Sequence, residues 1–469
     1  ITLFKLIPGR NEDSSAAAKK TLILIGASDS IMIIGIALIW WLTGSLSMNN
    51  ISVPTDNAAG VVAFLALLTG CFTKAGAFPF HTWVPDYTKE APASSSALLP
   101  ASLDKLLGIY LLARLTQGMF VINEWLTFLL LLTGGITIIS AVMMALVQHN
   151  YKKLLGFHAV SQVGYMIMGF GLGSAIGVAA GLFHMINNAI YKSGLFLAAG
   201  SIEYRTGKEN IDDLGGLSRA MPLTFASTLI FAMSISGVPP FNGFASKWMI
   251  YQGIIDFGIG SGLSNKLWMV WLGLAVFGSA LTLASFIKLT GGIFLSRIKP
   301  EFKEVREVPA LMWLPSTVLS LLCIIFGVFA TNWIVPELFV PASGEFSFTG
   351  FWNSSFVSLL VLISLLLGVI IYFAAGMKKF RREDSFIGGE RIQEQTGYPT
   401  PEFYKTISET GFFAWMYDKA EKKWFDVYDL SRQFVLWLSH RFSLAHDGVL
   451  SGYALWVCAG LIIMLLIMI

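Results

Sequence analysis

The chain reads as an all-α, polytopic membrane protein of about eleven transmembrane helices, and three features of the sequence predict it. Of its 469 residues 55% are hydrophobic and 13% charged, with a mean hydropathy of +0.67, a composition far too apolar for a water-soluble domain. Apolar runs long enough to cross a bilayer recur along the chain, and Lys and Arg gather in every second connection between them. The 36 Phe and 14 Trp suit a lipid-facing surface with interfacial anchors. A net charge of +3 and the absence of any basic-aromatic motif give no sign of nucleic-acid binding.

The apolar runs fall at about 20–44, 58–80, 97–117, 125–148, 155–173, 175–200, 221–257 with a break, 267–296, 309–333, 353–376 and 450–469. Connections on one side carry Arg10, Lys19 and Lys20, then Lys89, Lys152 and Lys153, then Arg205, Lys208 and Arg219, then Arg297, Lys299, Lys303 and Arg306, then a basic run at 378–382. The alternate connections at 45–57, 118–124, 174 and 334–352 carry none, and 258–266 has only Lys266. This alternation predicts a cytoplasmic-membrane protein with its N-terminus inside and its C-terminus outside. The chain begins at Ile1 without a signal-peptide pattern, which leaves room for an upstream portion. Cys71, Cys323 and Cys458 sit in apolar stretches without paired spacing and read as small hydrophobes.

Two places depart from plain spanning helices. At 237–247, GVPPFNGFASK puts Gly237, Pro239, Pro240 and Gly243 in the middle of a 37-residue apolar segment, which predicts two half-helices with Lys247 at the start of the second. Unwound backbone at that depth is tolerated only in protein or beside a water-filled cavity. At 74–105, Lys74 closes one helix, the chain turns on Pro79, Pro85 and Pro92, and Lys105 sits inside the next. Residues 377–449 are the one long hydrophilic stretch; there Phe412–Phe442 alternates aromatics with charges and predicts an amphipathic helix lying in the membrane interface, with a solvated linker as the alternative.

The centre of the chain is Phe183–Gly200, a nearly unbroken apolar helix with His184, Asn188 and Lys192 at successive steps of four. Such steps advance each side chain by only about 40°, so the three form one polar line. A lysine at bilayer depth costs roughly 2.5–3.5 kcal/mol or more unless it faces protein or water, so the line is either an ion path or a satisfied packing site. Between Ala97 and Gly200 only seven of 104 residues are charged, and Asp104, Lys105 and Lys192 are those not near a helix end. Asp29, Lys74, His184 and Lys247 complete an inventory of polar steps at mid-depth. For Lys74 and Lys247, near helix ends, capping or snorkelling is the lesser alternative, and for Asp29 simple pairing to Lys74 is an alternative. His158 reads more readily as a packing histidine than as a relay, and His81 as a cap or a path mouth. No hydrolytic triad, metal cluster or nucleotide cradle is present, so a redox cofactor is not expected in this chain.

The motifs KAGAFPFHTWVPDYTKEAPASSSALLPASLDKLLGIYLLAR, YKKLLGFHAVSQVGYMIMGFGLG, FHMINNAIYKSGLFLAAGSI, DLGGLSRAMP and SGVPPFNGFASKWMIY, in that order over residues 17–300, resemble the antiporter-like subunits shared by respiratory complex I, Mrp-type sodium/proton antiporters and energy-converting membrane-bound hydrogenases. The tail resembles the C-terminal arm of the larger members. The resemblance implies a bundle of two inverted five-helix repeats, at 1–117 (partial) and 118–300, each with a broken helix. Further spans at 301–376, the hydrophilic segment with its lateral helix at 377–449 and an anchor at 450–469 would come after them. Position by position, it implies that Lys74 matches the pumping lysine of the first repeat and Lys105 the bridging lysine. His184 and Lys192 match the central pair, Lys247 the terminal residue and Asp29 an acid on the helix before the first broken one. Asp104, His158 and Asn188, taken from the residues themselves, are lower-ranked candidates for the same path. Asn188 stands where many relatives carry a second histidine, and the family's first helices would precede Ile1, to be supplied by another subunit or by a longer chain. The same resemblance implies a proton- or sodium-translocating subunit of a complex I-like redox pump, most readily of the hydrogenase kind. Its partners would be other membrane subunits, lipid and peripheral electron-transfer subunits holding iron–sulfur clusters and nickel–iron or flavin. A member of a cation/proton antiporter without redox partners, or a non-conducting membrane anchor, are the alternatives.

Overall fold

A computed structural model describes residues 12–296, 298–348, 354–374, 404–446 and 448–468, which are mostly helical. The basic run at 378–382 lies outside the described residues. The helix α1 (Glu12–Thr43) buries Ala17, Leu24, Ser28, Gly35 and Ile39 on one side and exposes Ile33, Ile34, Trp40 and Trp41 on the other. Its charged start is pinned to the short helix α3 (Trp83–Glu90), with Lys20 Nζ 2.8 Å from Asp86 and Ser14 donating to Glu90 at 3.0 Å.

Between them, α2 (Ala58–Ala75) begins on the Asn57 side chain, which accepts from Gly60 N at 2.7 Å, and ends at Gly76 with φ 77°. That left-handed conformation closes the helix because glycine has no Cβ to clash. The helix α4 (Ala93–Met119) carries two wide π turns, at Leu99–Leu103 and Leu115–Met119. Pro100 lies in the first, where its missing N–H disturbs the regular ladder. Parallel two-residue strands, Val53–Pro54 and Phe120–Val121, join the loops at the ends of α1 and α4.

The middle of the bundle is α5 (Glu124–Leu146), α6 (Tyr151–Gly171) and α7 (Ala175–Thr206), the last two buried over nearly their whole length. A Cβ on Gly164 would lie 2.4 Å from the Gly134 carbonyl, so α5 and α6 cross with their backbones touching. The predicted break is present: α8 (Pro222–Ser236) stops at Gly237, φ 80°, and α9 (Asn242–Phe257) starts after the two prolines. A Cβ on Gly243 would sit 1.9 Å from the Ser234 carbonyl, so only glycine lets the two halves meet. Next come α10 (Trp268–Leu295), α11 (Ala310–Val328) and α12 (Ser354–Ala374). Glu307, in the loop before α11, caps the start of α8 through Leu223 N at 2.8 Å and Thr224 N at 3.1 Å.

By length and hydropathy alone, eight helices among the described residues can cross a membrane: α1, α2, α4, α5, α10, α11, α12 and Leu450–Ile467. The helices α6 and α7 fall short because they carry His158, Gln162, His184, Asn187, Asn188 and Lys192, which their own neighbours cover. The apolar core has three parts: around Phe64, Leu112 and Phe170; around Tyr151, Phe231 and Phe286; and around Tyr165, Met249 and Trp271.

Residues from Trp415 form a separate compact unit. The single interfacial helix expected over Phe412–Phe442 is two helices, α13 (Gly411–Glu421) and α14 (Val427–Ala445), followed by α15 (Leu450–Met468). The chain turns at Lys423, φ 60°, and the Asp426 side chain caps α14 by accepting from Tyr428 N at 3.0 Å. Lys419 stacks 3.6 Å from the Trp424 ring centroid across the turn.

Candidate functional site

Besides Lys152, which pairs with Glu203 and Glu209, four lysines among the described residues have almost no access to solvent: Lys105 on α4 (1% exposed), Lys192 on α7 (0%), Lys247 on α9 (1%) and Lys288 on α10 (2%). Each is seated on backbone carbonyls. Lys105 donates to Ala159 O, Lys192 to Leu155 O at 2.9 Å, Lys247 to Ile235 O at 2.9 Å, and Lys288 to Leu146 O at 2.7 Å and Gln148 O at 2.8 Å. Among the described residues none of the four has a carboxylate within ion-pair distance. A carbonyl accepts from an ammonium and, more weakly, from a neutral amine, so these seats can hold the side chain in either protonation state.

Lys247 is the most elaborated of the four. Its Nζ also donates to Ser279 Oγ at 3.0 Å and lies 4.6 Å from the Tyr165 ring centroid. The same serine hydroxyl is 2.7 Å from Tyr251 OH and 3.0 Å from Tyr165 OH. One residue before Lys247, Ser246 Oγ is 2.9 Å from His184 Nδ1. The other His184 nitrogen is 3.2 Å from Gln162 Oε1, which Tyr191 also approaches at 3.4 Å. His184 is therefore joined to Lys247 through one serine and one backbone step.

His158 is fully buried; its Nε2 is 2.7 Å from Ser285 Oγ, and its Nδ1 has no partner. Asn188 donates to Ala101 O at 3.4 Å and its Oδ1 is unpartnered. The neighbouring Asn187 exchanges hydrogen bonds with Asn242, at 3.0 Å to the carbonyl and 2.9 Å from the side chain, and so ties α7 to the start of α9.

The two acids and the first lysine stand apart. Lys74 Nζ is 2.7 Å from Asp29 Oδ1, and both side chains keep substantial exposure, 23% and 40%. Asp104 has a buried, unpartnered Oδ2 and lies within electrostatic range of Lys74 and Asp29. No direct hydrogen bond joins Lys74 to Lys105 or Lys105 to Lys192 among the described residues. His81 is buried beside Phe78, ring centroids 5.8 Å apart.

The sequence inventory missed Lys288 and the uncharged bridges Gln162, Tyr165, Ser246, Tyr251, Ser279 and Ser285. One signal was available: Ser279, Thr282, Ser285 and Lys288 recur every third residue on an otherwise apolar helix.

Residues 1–282 match the family described as "NADH:quinone oxidoreductase/Mrp antiporter, TM". A Na(+)/H(+) antiporter subunit from Alkalihalophilus pseudofirmus is 33% identical over 339 residues, 68% of this chain and 42% of its own length. The chain thus spans less than half of that relative. Among solved structures, a chain of the membrane-bound sulfane sulfur reductase, an archaeal respiratory membrane complex, is similar over 99% of this chain and 78% of its own, at TM-score 0.80 and 25% identity. A chain of the Mrp complex from Dietzia sp. DQ12-45-1b has the same fold over 73% of this chain and 72% of its own, at TM-score 0.66 and 24% identity.

Proposed function

We infer the function of this chain from a premise that the family match supplies: it belongs to the NADH:quinone oxidoreductase/Mrp antiporter transmembrane family. It is proposed to be an ion-translocating membrane subunit of a larger complex, moving protons, or sodium coupled to them, along Lys105, His184, Lys192 and Lys247. Lys74 with Asp29 would form a separate first station, and Asp104, His158 and Asn188 secondary ones. What carries the reading is the seating of buried lysines on carbonyls inside apolar helices, which tolerates loss and gain of a proton without loss of place. A group held only for packing has no need of a charge at that depth.

The reading favoured here is a complex I-like redox pump in the cytoplasmic membrane, N-terminus inside. Likeness to a respiratory-complex chain over almost all of this chain supports it. A hydrogenase-type partner set, with metal and flavin centres in other subunits, is the finer form of that proposal. The antiporter relative supports the second reading, a cation/proton antiporter subunit. Iron–sulfur signals in the purified complex separate the two. The test of the path is Lys192→Ala and Lys247→Ala: the complex assembles and transport falls to background, whereas wild-type transport in both variants removes the reading.

A further inference from the structure

One buried lysine has no place in that path. Lys288 lies near the end of α10 and its amine donates to Leu146 O and Gln148 O, the last carbonyls of α5 and of the turn after it. Two observations set it apart from an ordinary helix cap. It sits at the end of a row of polar residues on α10, two of which, Ser279 and Ser285, bond Lys247 and His158, while Thr282 donates to Gly278 O of its own helix. Thr282 is fully buried, and the second nitrogen of His158 is buried with no partner. Beyond Lys288 the line reaches the surface: Gln148 is followed by the exposed His149, whose Nδ1 is 2.7 Å from Asp212 Oδ2, while Asp212 Oδ1 is buried and unpartnered.

The line thus has a solvent-exposed acid–histidine pair at one end and a buried lysine at the other, with hydroxyls, an imidazole and an amine between. Successive members are three residues apart, a rise of roughly 4.5 Å and a turn of about 60° each, so each lies beside the next while the row winds about half a turn around α10 from Ser279 to Lys288. Phe286, next to Ser285, carries the Lys192 ammonium 5.8 Å from its ring centroid, so the same stretch of α10 borders the central lysine as well.

We propose that Lys288 is a fifth relay lysine, the inner gate of a branch along α10 that joins Lys192 and Lys247, through His158 and Ser285, to the surface at His149 and Asp212. This rests on the ion-translocating reading above. In each passage Lys288 takes a proton from the Asp212–His149 side, becoming an ammonium, and returns to a neutral amine when the proton passes toward Ser285 and His158. The carbonyls of Leu146 and Gln148 hold it throughout.

The deciding variant is Lys288→Arg in the intact complex in proteoliposomes. Proton uptake is read with a ΔpH-sensitive dye and driven by the complex's own electron transfer, or by an imposed sodium gradient if it is an antiporter. Arginine keeps a cation and the donors that cap α5 but does not give up its proton. A relay predicts at least a tenfold loss with assembly intact, and Lys288→Met should match it. Wild-type uptake in Lys288→Arg, with Lys192→Ala inactive in parallel, makes Lys288 a cap and overturns the branch while leaving the main path standing. Wild-type uptake in Lys192→Ala removes both. Should Lys288→Arg fail to assemble, Ser285→Ala decides: severalfold slower uptake supports the branch, and a wild-type rate overturns it.

Discussion

The chain breaks a helix twice with the same device, a left-handed glycine followed by proline, yet treats the lysine beside each break in opposite ways. At Gly76 the neighbouring Lys74 meets a carboxylate, Asp29, and both stay partly exposed. At Gly237 the corresponding Lys247 is sealed in, with a carbonyl, a serine and an aromatic face around it and no carboxylate. The same division runs through the molecule. Lys20, Lys74, Lys89 and Lys152 pair with acids, whereas Lys105, Lys192, Lys247 and Lys288 rest on carbonyls. An ion pair holds its lysine charged. A carbonyl seat supplies no counter-charge.

The largest expected effect is at the two breaks themselves. Lys247→Arg keeps the cation and should reduce transport at least a hundredfold, because the guanidinium retains its proton. Lys74→Arg can keep its pair with Asp29 and should stay within a few-fold of wild type. Equal losses in transport assays at the two positions would mean that both lysines must let go of a proton.

A second contrast concerns the glycines. Gly243→Ala drives a methyl into the Ser234 carbonyl and should destabilise the folded chain by about 2–3 kcal/mol, visible as a lower midpoint in a detergent thermal-shift assay. Gly76→Ala meets only the tip of Val84 but keeps a left-handed backbone, and should cost about 1–2 kcal/mol. The reverse order would place the tighter joint at the first break.

The smallest effect is on a buried lysine that is paired with acids, Lys152. Lys152, 2.8 Å from Glu209 and 3.2 Å from Glu203, docks the loop after α7, and Lys152→Met should lower stability by roughly 1–2 kcal/mol while sparing transport per assembled complex. Burial alone would raise the Glu209 carboxyl, but the bonds from Lys152 and Asn150 prevail and hold it below its usual value. The contribution of Glu209 is therefore full above the ordinary glutamate range near pH 4.5 and fades as pH falls through its lowered value. In Lys152→Met that acid-side loss should flatten, as read by melting curves against pH; an unchanged slope would assign it to other acids.

Much of the fold was legible in the residues. Gly237, Pro239, Pro240 and Gly243 announce the broken helix because their backbone limits are local, and the apolar runs announce the spans because lipid demands length. The partner of each lysine was not legible, since a carbonyl seat leaves no mark on the sequence and Ser246 or Ser279 looks like any serine on an apolar helix. Lys288 escaped because it lies near the end of its span, where a lysine reads as interfacial. The turn at Lys423 escaped as well: the alternation of aromatics and charges runs straight through it, and a single non-glycine residue in the left-handed region carries no composition signal.

Asn187 and Asn242 join the intact helix to the broken one through two amides, which carry no charge at any pH met in a cell. The tie between α7 and α9 therefore does not itself respond to charge on the lysines around it. Were Lys192 and Lys247 to exchange protons as proposed, this neutral joint beside them would carry the same charge before and after each transfer.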